Sequence, residues 1–262
     1  MKIACIGCGV MGSAFMSAIA KKVNPSEITV CDKFVESANA FAKKTGCNVA
    51  TNAEAVKNAK YVFLAVKPAF VKEALEEIKD ALEKDTVIIS MAAGVSLSQL
   101  REYLAAKYIR IMPNTPAKIS EGMTALCCGE DVCQERVCEV TSLLEAAGKV
   151  EKVDEKLMDC VTAVSGSGPA YAFMFIEAMA DAAVKFGMPR KQAYIYAAQT
   201  LKGAASMVLQ EEQNPAALKD AVCSPAGTTI EAVAALEKYG FRNAVIEAVT
   251  AAHDKSVAMG KK

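Results

Sequence analysis

Through the first half of the chain, short apolar runs alternate with stretches in which apolar positions return every three or four residues. The runs at 2–6, 28–31, 61–65, 87–91 and 108–112 read as buried strands. The stretches at 10–20, 35–44, 70–82 and 97–104 read as amphipathic helices. Strand, helix and strand joined by short connections predict parallel pairing through right-handed crossovers, with helices on both faces of one sheet. A strand at 123–127, a helix at 132–146 and a strand at 149–153 complete the layers. Beyond about residue 152 the strand signal stops, and 170–186, 190–210, 229–238 and 241–259 all carry helical periodicity. The pattern predicts two domains, 1–152 α/β and doubly wound, and 153–262 all-α.

Composition narrows the class. Thirty basic and thirty acidic residues give zero formal charge, and no cationic block exceeds Lys-Lys, so nucleic acid is not an expected partner. With 53% hydrophobic residues the chain can bury a sizeable core. No run of about 18 uncharged apolar residues marks a membrane span, and the start shows no secretory pattern, so the expected location is the cytoplasm. The ten cysteines fit no metal-ligand spacing and read as small buried hydrophobes in a reducing compartment, with no metal expected. The helix at 170–186 is apolar on nearly all sides. A helical domain of roughly 110 residues does not easily surround such a helix alone, which points to homodimerisation through it.

The chemistry begins at Gly7-Cys8-Gly9-Val10-Met11-Gly12, fed by a strand that ends at Ile6 and followed by a helix. Three glycines so placed give a tight turn, close approach of a pyrophosphate, and packing of helix on strand, the fingerprint of a Rossmann-type dinucleotide site. Asp32, twenty residues past Gly12, is placed to bond the adenosine ribose and repel a 2′-phosphate, while Lys33 beside it attracts that phosphate. NAD(H) and NADP(H) both stay open. Ala65-Val66-Lys67-Pro68 and Met91-Ala92-Ala93-Gly94 end strands at the carboxyl edge of the sheet, where such folds hold ligands. Asn52 reads first as a helix N-cap and second as a cofactor contact. The stiff loop Met112-Pro113-Asn114-Thr115-Pro116 suits the presentation of carbonyls and the Asn114 amide to a nicotinamide, or else a rigid connection between domains. Ser165-Gly166-Ser167-Gly168-Pro169 and Ser224-Pro225-Ala226-Gly227-Thr228-Thr229 each open a helix with hydroxyls and free amides, an arrangement for a small carboxylate.

On these residues the chain resembles the pyrroline-5-carboxylate reductases. The resemblance also takes in Glu177-Ala178-Met179-Ala180-Asp181, Gly187-Met188-Pro189 and the whole run 218–232. Within that run the family commonly has Ser-Pro-Gly-Gly-Thr-Thr, and Ala226 here replaces the first glycine. The resemblance implies a Rossmann domain followed by a helical dimerisation domain like that of 6-phosphogluconate dehydrogenase, in intertwined dimers often gathered into decamers of five. It implies reduction of a cyclic imine, 1-pyrroline-5-carboxylate, to L-proline. Thr229 then hydrogen-bonds the imine nitrogen, and the amides of Gly227, Thr228 and Thr229 hold the carboxylate. Ser165, Gly166 and Ser167 border the substrate, and Glu212 matches an acidic family position. The only histidine, His253, reads as a surface residue rather than an acid or base. One alternative is a β-hydroxyacid dehydrogenase, but Ala172 and Ile176 stand where that family has its lysine and asparagine. Another is a silent dinucleotide-binding sensor.

Overall fold

Strand formation follows the apolar runs closely. The structure, a computed structural model, describes residues 1–211 and 213–260. Its sheet is built from β1 (Ile3–Ile6), β2 (Ile28–Cys31), β3 (Asn48–Val49), β4 (Tyr61–Leu64), β5 (Val87–Ser90), β6 (Lys107–Met112), β7 (Gly122–Cys128) and β8 (Gly148–Lys152). The spatial order is β3-β2-β1-β4-β5-β6-β7-β8, parallel throughout except that β7 runs antiparallel to β6. The register sets Ile3 beside Ile28 on one side and beside Tyr61 on the other. Because side chains alternate along a strand, β1 feeds two cores. Ile3 and Cys5 pack with Phe15 and Ile19 on one face, while Ala4 and Ile6 pack with Leu75 and Ile78 on the other. This is the expected doubly wound, mainly parallel sheet.

Helices α1 (Val10–Ile19), α2 (Val35–Thr45), α3 (Asn52–Val56), α4 (Val71–Ile78), α5 (Leu97–Tyr103) and α6 (Gln134–Leu144) connect the strands. A short helix α7 (Met158–Val161) then runs into a single π-turn over Thr162–Gly166. The strand order reverses between β1 and β4, so a crevice opens at their carboxyl ends.

The chain divides into two compact units, Met1–Ser167 with the chain end from Ala252, and Gly168–Ala251. The second unit holds α8 (Gly168–Lys185), α9 (Arg190–Glu211), α10 (Pro215–Val222), α11 (Thr228–Lys238) and the start of α12 (Phe241–Gly260). Its fully buried apolar cluster consists of Ala180, Ala193 and Ala197, with Ile176, Met179 and Val184 packed around them. Phe173 (64% exposed), Met174 and Phe186 stay uncovered on and just after α8, as do Ile195 and Tyr196 on α9. No helix among the described residues is long and apolar enough to cross a membrane.

Three elements fall outside the sequence reading, the four-residue α7 and two more. Strand β3 has only two residues and shows no periodicity. Helix α10 starts at the Asn214-Pro215 pair, which resembles a break; Asn214 accepts the Ala216 amide at 2.9 Å, and proline takes the first helical position.

The cysteines depart from expectation. Cys5, Cys31, Cys47 and Cys127 are buried, but Cys133, Cys138 and Cys160 are exposed. Cys133 is the residue at the start of α6, and Cys138 lies on a solvent-facing position of that helix. Burial pushes the Cys31 and Cys127 thiols up to about 12, which keeps them neutral and unreactive.

Candidate active site

The glycine turn is held by three separate constraints. Gly7 sits at φ +103°, where a side chain is disfavoured, and a Cβ there would meet the Ala65 carbonyl oxygen at 2.6 Å. The turn is therefore pressed against the end of β4. A Cβ on Gly12 would lie 2.0 Å from the Gly7 carbonyl oxygen, so the third glycine is required for α1 to pack on the turn. At Gly9 the same construction finds nothing within 4 Å. The fold itself therefore places no steric demand for glycine at this position. Gly9 opens α1 with no side-chain cap, and no acidic residue occupies the first helical turn. Its leading amides have no intrahelical acceptor, an arrangement suited to a phosphate.

Beside this helix start lies a hollow of about 430 Å³, bordered by Cys8, Gly9, Val10, Ser13 and Ser17 of the turn and α1, and by Lys118. Ile6 is buried in β1 and its carbonyl accepts the Ala65 amide, so it shapes the turn from below. Met11 packs partly against the core. Ser13 Oγ donates to the Cys8 carbonyl at 2.7 Å. The Cys8 thiol is pushed up to about 12, first by burial and then by Asp32, so it stays protonated.

Asp32 follows β2 and straps the turn. Its carboxylate accepts the Cys8 amide at 2.6 Å and the Phe34 amide at 2.9 Å. Lys33 turns the other way, 3.4 Å from Glu73 and over the Phe70 ring. Asn52 is not the N-cap of α3. Thr51 is, because its hydroxyl accepts the Glu54 amide while the Glu54 carboxylate accepts the Thr51 amide at 3.1 Å. The Asn52 amide group donates to Glu77 instead.

Ala65, Val66, Lys67 and Pro68 leave β4, with Pro68 opening a 3₁₀ turn. Met91, Ala92 and Ala93 leave β5, and Ala92 is buried. Both exits lie at the carboxyl edge, and Ala65 in the first of them abuts the glycine turn. Asn114 acts as a brace. Its Nδ2 donates to the Ser165 carbonyl at 3.1 Å, and its Oδ1 accepts the Met123 amide at 2.8 Å. The loop after β6 is thereby tied to the π-turn, whose residues sit close by; a Cβ on Gly166 would meet Met112 Cε at 2.7 Å. Ser165 Oγ donates to the Val161 carbonyl and the Ser167 amide to that of Thr162. Single π-turns of this kind recur at functional sites.

In the helical unit, Gly227 begins α11 without a side-chain cap. The amides of Thr228 and Thr229 lie in the first helical turn, where no intrahelical acceptor reaches them. No described hydrogen bond uses the Thr229 hydroxyl. Ala226 lies at φ 56°, the left-handed region where glycine is favoured. The replacement seen in the sequence therefore stores strain in the turn. Ala226→Gly relieves about 1–2 kcal/mol of it, less the entropy glycine adds to the unfolded chain. The net expectation is a rise in Tm of about 1–2 °C, read by calorimetry; a fall contradicts the strain. Glu212 lies outside the described residues. His253 is 45% exposed beside Asp254.

Sequence reasoning missed Lys118 as a neighbour of the glycine turn. Its one signal was a cation two residues after Pro116, with 106 residues separating Lys118 from Gly12.

The comparisons agree with this geometry. The family model described as pyrroline-5-carboxylate reductase dimerisation matches residues 155–259, and that described as NADP oxidoreductase coenzyme F420-dependent matches 2–94. The pyrroline-5-carboxylate reductase of Escherichia coli is 46% identical, over 99% of this chain and 98% of the relative. The solved pyrroline-5-carboxylate reductase of Coxiella burnetii superposes with a TM-score of 0.93 at 35% identity, over 100% and 99% of the two chains. That of Plasmodium falciparum, crystallised with NADP bound, gives 0.89 at 33% identity, over 99% and 98%. With full-length similarity joined to a glycine turn open at Gly9 and an uncapped Gly-Thr-Thr helix start, the chain belongs to the pyrroline-5-carboxylate reductase family.

Proposed function

We propose that the protein reduces 1-pyrroline-5-carboxylate to L-proline with NADPH or NADH. The observation that carries this reading is the uncapped start of α11, Gly227-Thr228-Thr229, in a chain whose first turn is built for a dinucleotide. The amides of Thr228 and Thr229 hold the substrate carboxylate and the Thr229 hydroxyl hydrogen-bonds the imine nitrogen, whereas the Gly227 amide, expected to join them, donates to the Ser224 carbonyl at 3.0 Å and closes the turn. The amides at the start of α1 hold the pyrophosphate, and the braced loop of Asn114 with Ser165, Gly166 and Ser167 borders the nicotinamide. When bound, the reduced nicotinamide supplies a hydride from its C4 to the imine carbon.

A protonated imine already accepts hydride, so the protein's task is to orient it rather than to act as a strong acid. This suits a chain in which the only histidine is His253. A β-hydroxyacid dehydrogenase needs a lysine to polarise a carbonyl, and Ala172 and Ile176 cannot do so. The test is loss of reduced-coenzyme absorbance with pyrroline-5-carboxylate, beside a panel of β-hydroxy acids run oxidatively. Turnover of the imine alone supports the proposal; turnover of the hydroxy acids alone refutes it.

Asp32 sets coenzyme preference by presenting a carboxylate where a ribose 2′-phosphate would lie. Asp32→Ser keeps an acceptor for the Cys8 amide and removes the charge. We expect the ratio of kcat/KM for NADPH over NADH to rise about tenfold, and an unchanged ratio contradicts this role. The uncovered Phe173, Met174 and Phe186 fit burial in a homodimer, and the resemblance extends this to a decamer of five dimers. Ten free cysteines suit a reducing compartment, and the cytoplasm is the location we assign.

A further inference from the structure

We propose that Lys118 is a phosphate-binding residue whose ammonium pairs with the pyrophosphate of the bound dinucleotide, an inference that rests on the dinucleotide reading above. Lys118 lies in the 3₁₀ turn Thr115–Ile119, which packs on α1, and it borders the same hollow as Cys8, Gly9, Val10 and Ser13. The side chain is exposed, and no described hydrogen bond or ion pair engages it. Lys33 at the same edge is paired with Glu73, and Lys67 after β4 does not border the hollow, which leaves Lys118 as the cation on it.

Among the described residues, no acidic one borders the hollow. None lies in the first turn of α1 either, and Asp32, whose carboxylate accepts the Cys8 and Phe34 amides, is not among the residues bordering the hollow. A lone ammonium next to unpaired helix-start amides attracts a multiply charged oxyanion. The topology selects which phosphate. A ribose 2′-phosphate belongs beside the end of β2, whereas Lys118 follows β6, on the other side of β1 in the sheet order. The pyrophosphate, which crosses the glycine turn, is the group within reach of this side. Since NADH and NADPH share it, Lys118 strengthens both and does not choose between them.

The experiment is equilibrium titration of the full chain with NADPH and with NADH, followed by nicotinamide fluorescence without substrate. Lys118→Met keeps the side chain's length and removes its charge; Lys118→Arg keeps the charge. We expect Lys118→Met to raise both Kd values by a similar factor of about five, and to flatten the dependence of Kd on salt. Lys118→Arg should stay near wild type. Binding of neither coenzyme to the wild-type protein overturns the dinucleotide reading and this proposal together. Unchanged Kd values in Lys118→Met overturn this proposal alone. A loss confined to NADPH also overturns it, by moving the lysine to the 2′-phosphate.

Discussion

Gly9→Val abolishes dinucleotide binding while leaving the protein folded. Two observations combine in this expectation. Gly9 has φ −67° and ψ −168°, extended backbone that valine adopts readily. A Cβ there meets no protein atom within 4 Å, so nothing is displaced in the fold. Exchanging glycine for valine at a helix start costs about 1 kcal/mol or less, small beside the stability of a domain. The added isopropyl group instead fills the space in which a pyrophosphate must touch the backbone. Affinity should fall at least about a hundredfold, the loss of roughly 2.7 kcal/mol of close phosphate contact. Titration by fluorescence and a thermal melt separate the two effects. Unchanged affinity in a folded Gly9→Val protein refutes the cradle. Gly12 is the informative contrast: its Cβ would lie 2.0 Å from the Gly7 carbonyl oxygen, so Gly12→Ala should lower the melting temperature as well as binding.

Thr229→Ala is expected to slow turnover ten- to a thousandfold, on the order of 1.4 kcal/mol per tenfold. The helix does not depend on this hydroxyl, because α11 has no side-chain cap and Thr229 lies in its first turn. Stability and coenzyme Kd should therefore hold while kcat falls. Thr229→Ser keeps the hydroxyl and should keep most of the activity, which distinguishes a hydrogen bond to the imine from packing by the methyl group. Full activity in Thr229→Ala leaves the reduction intact and assigns the proton to solvent.

Most of the sheet was legible because buried parallel strands are continuous apolar runs, and turns punctuate them. Residues 28–31 were read to the residue, and 61–65 and 87–91 each ran one residue long. Strand β3 carries too few residues for any period, and α10 was hidden because Asn214-Pro215 is both a break signal and a good helix start. The glycine turn was legible as a pattern, but the different demands on Gly7, Gly9 and Gly12 appear only when β4 and α1 are in place. Asp32 was found by its spacing, while its bond to the Cys8 amide depends on the turn's curvature. Asn114 was recognised as a polar residue in a stiff loop, yet its partners are the backbones of Ser165 and Met123. Thr51 took the cap expected of Asn52 because Glu54 completes a reciprocal pair with it. Lys118 was invisible because its relation to α1 arises from packing across a long stretch of chain.

The most direct test of the central claim is label transfer. NADPH carrying deuterium at C4 in the transferred position is incubated with the protein and 1-pyrroline-5-carboxylate, and the proline formed is analysed by mass spectrometry and NMR. The account predicts one deuterium per proline, located on the δ carbon, the former imine carbon, with one coenzyme oxidised per proline. Proline without label, or no proline while the coenzyme is consumed, contradicts it.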